Sequence, residues 1–188
     1  MDKITARKKA GVIRNNICGM EAISRKICDK ILKDCDFINS DVVLAYIATK
    51  NEIDLTQIID YCMRNNKMVA VPKVTDTKKC TMEFVIIKSL DELKSGYMGI
   101  YEPINDIYTN FYDNANIYMI LPGLAFGKNG IRAGYGKGYY DRYIEKGFTG
   151  IKTGVAIDEA VFEYIDGDLH DILWDKLITE NNIYVRNR

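Results

Sequence analysis

Two short apolar, β-branched runs, VVLAYI (Val42 to Ile47) and MVAV (Met68 to Val71), stand either side of one amphipathic segment. No other feature narrows the fold as far. Each run is short for a helix and too uniformly apolar for a strand with one face in water, so both predict buried strands. Asp54 opens the segment between them, and Leu55, Ile58, Ile59 and Cys62 recur at helical spacing. Strands joined through a helix pair in parallel, which sets an α/β fold. Pro72 is expected to stop the second strand, because it brings no N–H to a sheet.

The rest of the chain extends the pattern. Lys3 to Lys33 is rich in Lys and Arg, with Ile13, Ile17, Met20, Ile23, Ile27 and Ile31 three or four apart, which predicts two amphipathic helices broken at Gly19. Met82 to Ile87 predicts a strand, and Ser89-Leu90-Asp91-Glu92 has the form of a capping box. Gly99 to Asn116 is expected to be a long loop, followed by a strand at Ile117 to Leu121 that ends at Pro122-Gly123. After a turn at Gly127 to Gly130, a helix is expected at Tyr139 to Lys146, with strands at Thr153 to Ile157, Leu177 to Thr179 and Ile183 to Arg186. Residues 1–188 thus predict a single-domain, three-layer α/β/α sandwich around a mostly parallel, Rossmann-like sheet. With 47% hydrophobic residues, such a chain can build a core without disulfides or structural metals.

Lys plus Arg and Asp plus Glu both number 26, which removes any bulk electrostatic attraction to nucleic acid or an anionic membrane. No segment approaches the roughly 20 apolar residues of a membrane span, and the basic N-terminus lacks a signal-like apolar run, so a cytoplasmic protein is expected. Five cysteines without a C-x-x-C pair, beside the single His170, argue against zinc or a disulfide framework. A monomer, or at most a weak homodimer, is expected.

An anion site, if present, must therefore be local. Arg132-Ala133-Gly134-Tyr135-Gly136-Lys137-Gly138-Tyr139-Tyr140-Asp141 lies ahead of a predicted helix. A helix N-terminus presents free N–H groups to phosphate, and alternate glycines let the backbone approach it closely. The spacing fits neither a P-loop nor a dinucleotide fingerprint, because Lys137 is followed by Gly138 and Tyr139 stands where a small residue is needed. The glycines alone are equally consistent with a tight turn packed under aromatic rings. Arg132 and Lys137 add charges for a polyphosphate, Asp141 offers a carboxylate for Mg²⁺, and Tyr135 and Tyr139 could line a flat heteroaromatic substrate. Lys3 and Arg7, one helical turn apart, can reach toward one anion together.

Read as a whole, LPGLAFGKNGIRAGYGKGYYDRY (Leu121 to Tyr143) resembles the signature of the 5-formyltetrahydrofolate cyclo-ligase family. Lys3-Ile4-Thr5-Ala6-Arg7 resembles that family's K-x-x-x-R element, Asn51-Glu52-Ile53-Asp54 its glutamate element, and His170-Asp171 with Ile178-Thr179-Glu180 its C-terminal pairs. Val71-Pro72-Lys73 and Gly99 to Pro103 are similar to secondary motifs. The resemblance implies ATP as co-substrate at Lys3, Arg7, Arg132, Gly134, Tyr135, Gly136, Lys137, Gly138, Tyr139 and Tyr140. It implies folate contacts at Ile47, Glu52, Tyr135, Gly136, Lys137, Gly138 and Tyr139. Mg²⁺ is implied at Asp141 and Asp171, with Arg132, Lys137 and Tyr139 as the catalytic group.

The implied reaction converts 5-formyltetrahydrofolate and ATP to 5,10-methenyltetrahydrofolate, ADP and phosphate through a phosphorylated formyl oxygen. The alternative is a nucleotide- or folate-binding protein of the same fold without turnover. Without the resemblance, Glu52 is a solvated loop carboxylate and His170 a surface or core histidine.

Overall fold

In a computed structural model, residues 1–49, 51–105 and 115–186 are described. The helices are α1 (Lys3–Asn16), α2 (Met20–Ile31), α3 (Cys35–Ile38), α4 (Thr56–Arg64) and α5 (Tyr139–Glu145). The strands are β1 (Val42–Leu44), β2 (Met68–Asp76), β3 (Thr81–Ile86), β4 (Leu93–Ser95), β5 (Tyr101–Pro103) and β6 (Ile117–Leu121), followed by β7 (Ala125–Gly127), β8 (Arg132–Ala133), β9 (Ile151–Val155), β10 (Val161–Phe162), β11 (Lys176–Ile178) and β12 (Ile183–Val185).

Seven strands form the main sheet in the order β12-β11-β9-β6-β1-β2-β3. The pairs β1–β2, β1–β6, β6–β9 and β9–β11 are parallel, and only the outer pairs β2–β3 and β11–β12 run antiparallel. Both faces are covered, which accounts for the unbroken apolar run of β6: Tyr118 and Ile120 pack on the α1, α2 and α4 side, while Ile117, Met119 and Leu121 pack toward Tyr143 and Phe148. No described helix is long and apolar enough to cross a membrane.

Gly19 separates α1 from α2 as expected, in a left-handed conformation (φ 76°) that costs glycine little. The most deeply buried face of α1 is Ala6, Ala10 and Arg14, while Ile13 and Ile17 are only partly covered. The two alanines let the helix lie close to its neighbours.

Two expectations are corrected. β2 does not stop at Pro72 but continues to Asp76, paired with β3. Ala70 directs its carbonyl to β1, accepting from Ala45 N–H at 2.9 Å, so by alternation Pro72 faces the same side, beyond the end of β1, where no ladder bond is lost. The loop expected at Gly99 to Asn116 begins with β5, which pairs antiparallel with β4. Its remainder at 106–114 lies outside the described residues. The capping box at Ser89 forms, with Asp91 N–H donating to Ser89 Oγ and Ser89 N–H to Glu92 Oε1, each at 3.1 Å. A three-stranded sheet, β10-β7-β8, was not anticipated from the sequence.

The chain leaves β1 for β2 on one side and returns as β6 on the other, so the order reverses between β1 and β6. Ligands of open α/β sheets collect at the carboxyl ends of strands at such a reversal.

Candidate active site

Beyond the carboxyl end of β1 the chain turns back on itself. Glu52 N–H donates to Thr49 O at 3.1 Å, and Asn51 takes the left-handed φ of 67° that the turn requires. This buries the Glu52 carboxylate, 8% exposed, instead of leaving it solvated. Its Oε2 accepts from Thr49 N–H and Thr49 Oγ1, both at 2.7 Å. Ile47 and Glu52 line a cavity of about 500 Å³ together with Tyr46, Thr49, Leu93 and Tyr101.

The carboxyl end of β6 carries the other half of the site. Pro122-Gly123 leads into a hairpin of β7 and β8, and β8 delivers Arg132 and the glycine segment to the N-terminus of α5. Gly138 caps α5 at φ 71° and Gly136 sits at φ 86°, both positions where a side chain would be strained. The segment reaches across the reversal point, where Tyr135 Oη donates to Glu52 Oε1 at 2.8 Å. Burial, then the nearby Glu52 carboxylate, raises the Tyr135 phenol above its ordinary value, so it stays a donor at neutral pH.

Arg132 is nearly buried and points inward. Its Nη1 donates to Pro122 O at 3.1 Å and its Nη2 pairs with Asp141 Oδ1 at 2.8 Å. The guanidinium lies 5.5 Å from the centre of the Tyr140 ring. Burial pushes the Tyr140 phenol well up, with Arg132 opposing the shift. From α1, Arg7 Nε donates to Gly134 O at 2.7 Å, which ties the helix to the glycine segment. Lys137 is exposed, and no described residue pairs with its ammonium group. Arg142 Nη2 donates to Lys137 O.

Lys3 does not join Arg7 at the glycine segment. It pairs with Asp171 Oδ1, and with Asp168 Oδ2 at 2.9 Å. Asp171 Oδ2 accepts from Asp168 N–H at 2.6 Å, so both its oxygens are engaged. His170 is exposed.

The donor set can be tested for Mg²⁺. No group of three metal-ligating side chains occurs among the described residues. Mg²⁺ does not need one, since one or two carboxylates suffice when water and substrate phosphates supply the remaining ligands. Asp141 fits: Arg132 holds Oδ1, and Oδ2 accepts no hydrogen bond from a described residue. Asp171 fits only if Lys3 gives up Oδ1.

Polar atoms left unpaired mark the same region. Among the described residues, five buried side-chain atoms lack a hydrogen-bond partner, and four of them are Arg14 Nε, Arg132 Nε, Tyr139 Oη and Tyr140 Oη. Such groups call for a partner, which ordered water or a bound molecule supplies. Arg14 is a candidate site residue that the sequence did not disclose. It is 7% exposed, and its Nη2 donates to Gly123 O at 2.5 Å. Its spacing of seven from Arg7, two turns along one helix face, was the available signal.

The model of the 5-formyltetrahydrofolate cyclo-ligase family matches residues 2–180. A probable 5-formyltetrahydrofolate cyclo-ligase of Caenorhabditis elegans is 29% identical over 170 residues, covering 85% of this chain and 82% of the relative. One of Schizosaccharomyces pombe is 26% identical, covering 94% and 92%. The solved 5,10-methenyltetrahydrofolate synthetase of Aquifex aeolicus superposes with a TM-score of 0.85 at 32% identity, over 100% of this chain and 95% of that one. The synthetase of Mycoplasma pneumoniae, at 20% identity and a TM-score of 0.75, shares the fold over 96% of this chain and 99% of its own. With a family model spanning nearly its whole length, this chain belongs to the 5-formyltetrahydrofolate cyclo-ligase family of ligases.

Proposed function

We propose that the protein converts 5-formyltetrahydrofolate and ATP into 5,10-methenyltetrahydrofolate, ADP and phosphate, with the formyl oxygen phosphorylated on the way. The observation that carries this reading is the Tyr135–Glu52 contact, which joins a glycine-rich, cation-bearing segment to a cavity at the sheet reversal. A pocket of about 500 Å³ with a mixed polar and apolar lining and a buried carboxylate suits a flat, hydrogen-bonding ring system.

The chemistry explains the two halves. A formamide oxygen is a poor leaving group, and moving the γ-phosphoryl group of ATP onto it makes a good one. N10 of the folate then attacks the formyl carbon, and the C–O bond breaks to release phosphate. Protein catalysis of such a transfer is mostly positioning and charge neutralisation. Pro122 O and Asp141 each take one Arg132 donor, which leaves further guanidinium N–H groups for phosphoryl oxygens, and Lys137 is a second cation nearby. Arg7 and the amides of Gly134 to Gly138, with Tyr140 beneath them, form the rest of the phosphate cradle. Lys3 joins it by leaving Asp171 for the phosphates.

Glu52 and Ile47 hold the folate. Tyr135 and Tyr139, with the backbone of Gly136, Lys137 and Gly138, face it from the other side. Asp141 and Asp171 are the residues that would hold Mg²⁺, which supplies charge neutralisation to the polyphosphate when bound. The reading includes action as one domain over residues 1–188, in the cytoplasm, as a monomer or weak homodimer.

The test is to mix the protein with 5-formyltetrahydrofolate, ATP and Mg²⁺, following methenyl product by near-ultraviolet absorbance alongside ADP. Equal formation of both supports the proposal. Folded protein that binds both substrates and forms neither product refutes it and leaves a binding protein.

A further inference from the structure

Arg14 is a buried guanidinium in the last turn of α1, with no carboxylate within ion-pair distance among the described residues. Such a charge is costly to bury, and the carbonyl end of its own helix offsets only part of the cost. Its position in the fold is specific. Arg14 Nη2 donates to Gly123 O at 2.5 Å, and the next carbonyl upstream, Pro122 O, accepts from Arg132 Nη1 at 3.1 Å. Two guanidinium groups thus grip consecutive carbonyls where β6 ends.

The peptide that Arg14 grips leads onward. The Gly123 carbonyl shares its peptide unit with Leu124 N–H, which donates to Ala133 O at 2.9 Å, and Ala133 follows Arg132. A cationic donor at one end of a peptide polarises the N–H at the other, so the two bonds strengthen each other. Gly123 is tightly packed: a Cβ there would come within 2.7 Å of the Phe126 ring and 3.1 Å of Arg132 Cγ. Arg7, seven residues before Arg14 on the same helix face, holds Gly134 O at 2.7 Å. α1 therefore brackets the β7–β8 hairpin on both sides of Arg132.

We propose that Arg14 is a positioning residue for the ligase reaction: through the Gly123–Leu124 peptide it fixes the hairpin so that the Arg132 guanidinium meets the transferred phosphoryl group. This rests on the catalytic role of Arg132 proposed above. The charge and reach of Arg14 matter because Gly123 is buried, and losing the donor leaves its carbonyl unsatisfied and the turn free to relax.

The experiment is a double-mutant cycle read in kcat, both KM values and the melting temperature. Arg14→Met is expected to lower kcat roughly 10- to 100-fold, the range in which displacement of a catalytic group by about 1 Å acts. Both KM values should stay within about threefold, and Arg14→Lys, which keeps a cationic donor for Gly123, should recover most of the turnover. In the Arg132→Met background, Arg14→Met should cost little more, since the group it positions is gone.

Turnover of Arg14→Met within twofold of the parent overturns the proposal, as does a loss that multiplies fully with that of Arg132→Met. If Arg14→Met fails to fold, Arg14→Gln, too short to reach Gly123 O, carries the same cycle with the same expectations. Normal turnover in Arg132→Met refutes the reading of Arg132, and the proposal with it. Slow Arg132→Met beside fast Arg14→Met refutes only the role given to Arg14.

Discussion

Glu52→Gln separates the two halves of the cleft. In the parent, the Glu52 carboxylate accepts three hydrogen bonds, two from Thr49 at 2.7 Å and one from Tyr135 at 2.8 Å. Glutamine can keep its carbonyl toward Thr49 and turn its amide to Tyr135, whose hydroxyl then accepts instead of donating. The contact count is preserved, while the charge is lost. Hydrogen bonds to a charged group contribute about 1.5–3 kcal/mol against about 1 for a neutral pair, so a folate donor resting on this carboxylate loses about 1–2 kcal/mol. That corresponds to folate affinity weaker by roughly 5- to 30-fold. Titration of 5-formyltetrahydrofolate and of ATP separately, with a melting curve for each protein, reads the effect. The expected result is weaker folate binding with ATP binding unchanged and the fold intact. Unchanged folate affinity, or an equal loss for ATP, would refute the placement of folate against Glu52.

Other outcomes follow from burial and charge. Cys28 and Cys62 are buried, which pushes both thiols up to about 12, whereas Cys18 and Cys35 are exposed. A thiol reagent at neutral pH should label Cys18 and Cys35 in the native protein and reach Cys28 and Cys62 only on unfolding; peptide mapping of the label checks this. Burial opposes ionisation of Asp158, yet hydrogen bonds from Thr179 and Asn182 hold its pKa below the ordinary 3.8. A depressed carboxylate stabilises the fold above its unfolded pKa and loses that contribution as pH falls through the folded value. Asp158→Asn should therefore lower the melting temperature at pH 7, with the gap to the parent closing below about pH 4, and a constant gap would contradict this. Tyr118→Phe removes the donor that meets Asp34 Oδ2 at 2.9 Å and should cost about 1–3 kcal/mol in chemical denaturation.

The parallel core was legible because its strands are buried on both faces, so VVLAYI and IYMIL carry the signal in composition alone. β7, β8 and β10 are two or three residues long and their pairing is decided by tertiary contacts, which leaves little periodicity to read. Pro72 misled for a related reason: its effect depends on which neighbour its missing N–H would have faced, and only the sheet order reveals that.

At the site, residue types were legible and partners were not. Glu52 looked solvated because the positive φ of Asn51, which folds it inward, leaves no mark in composition. Lys3 and Arg7 share a helix face as expected, yet Lys3 reaches Asp171 and Arg7 reaches Gly134. Arg14 carries no distinguishing local mark, because it lies between Ile13 and Ile17 in a segment rich in Lys and Arg. Its burial comes from the hairpin packed on α1, which the local sequence does not encode.

In the proposed reaction ATP and folate meet in one cleft, where the phosphoryl group passes to the formyl oxygen. Labelling that oxygen of 5-formyltetrahydrofolate with ¹⁸O and analysing the released phosphate by mass spectrometry tests it directly. The predicted result is one ¹⁸O atom carried into phosphate for each methenyl product formed. Unlabelled phosphate, with the ¹⁸O recovered in water, would contradict it.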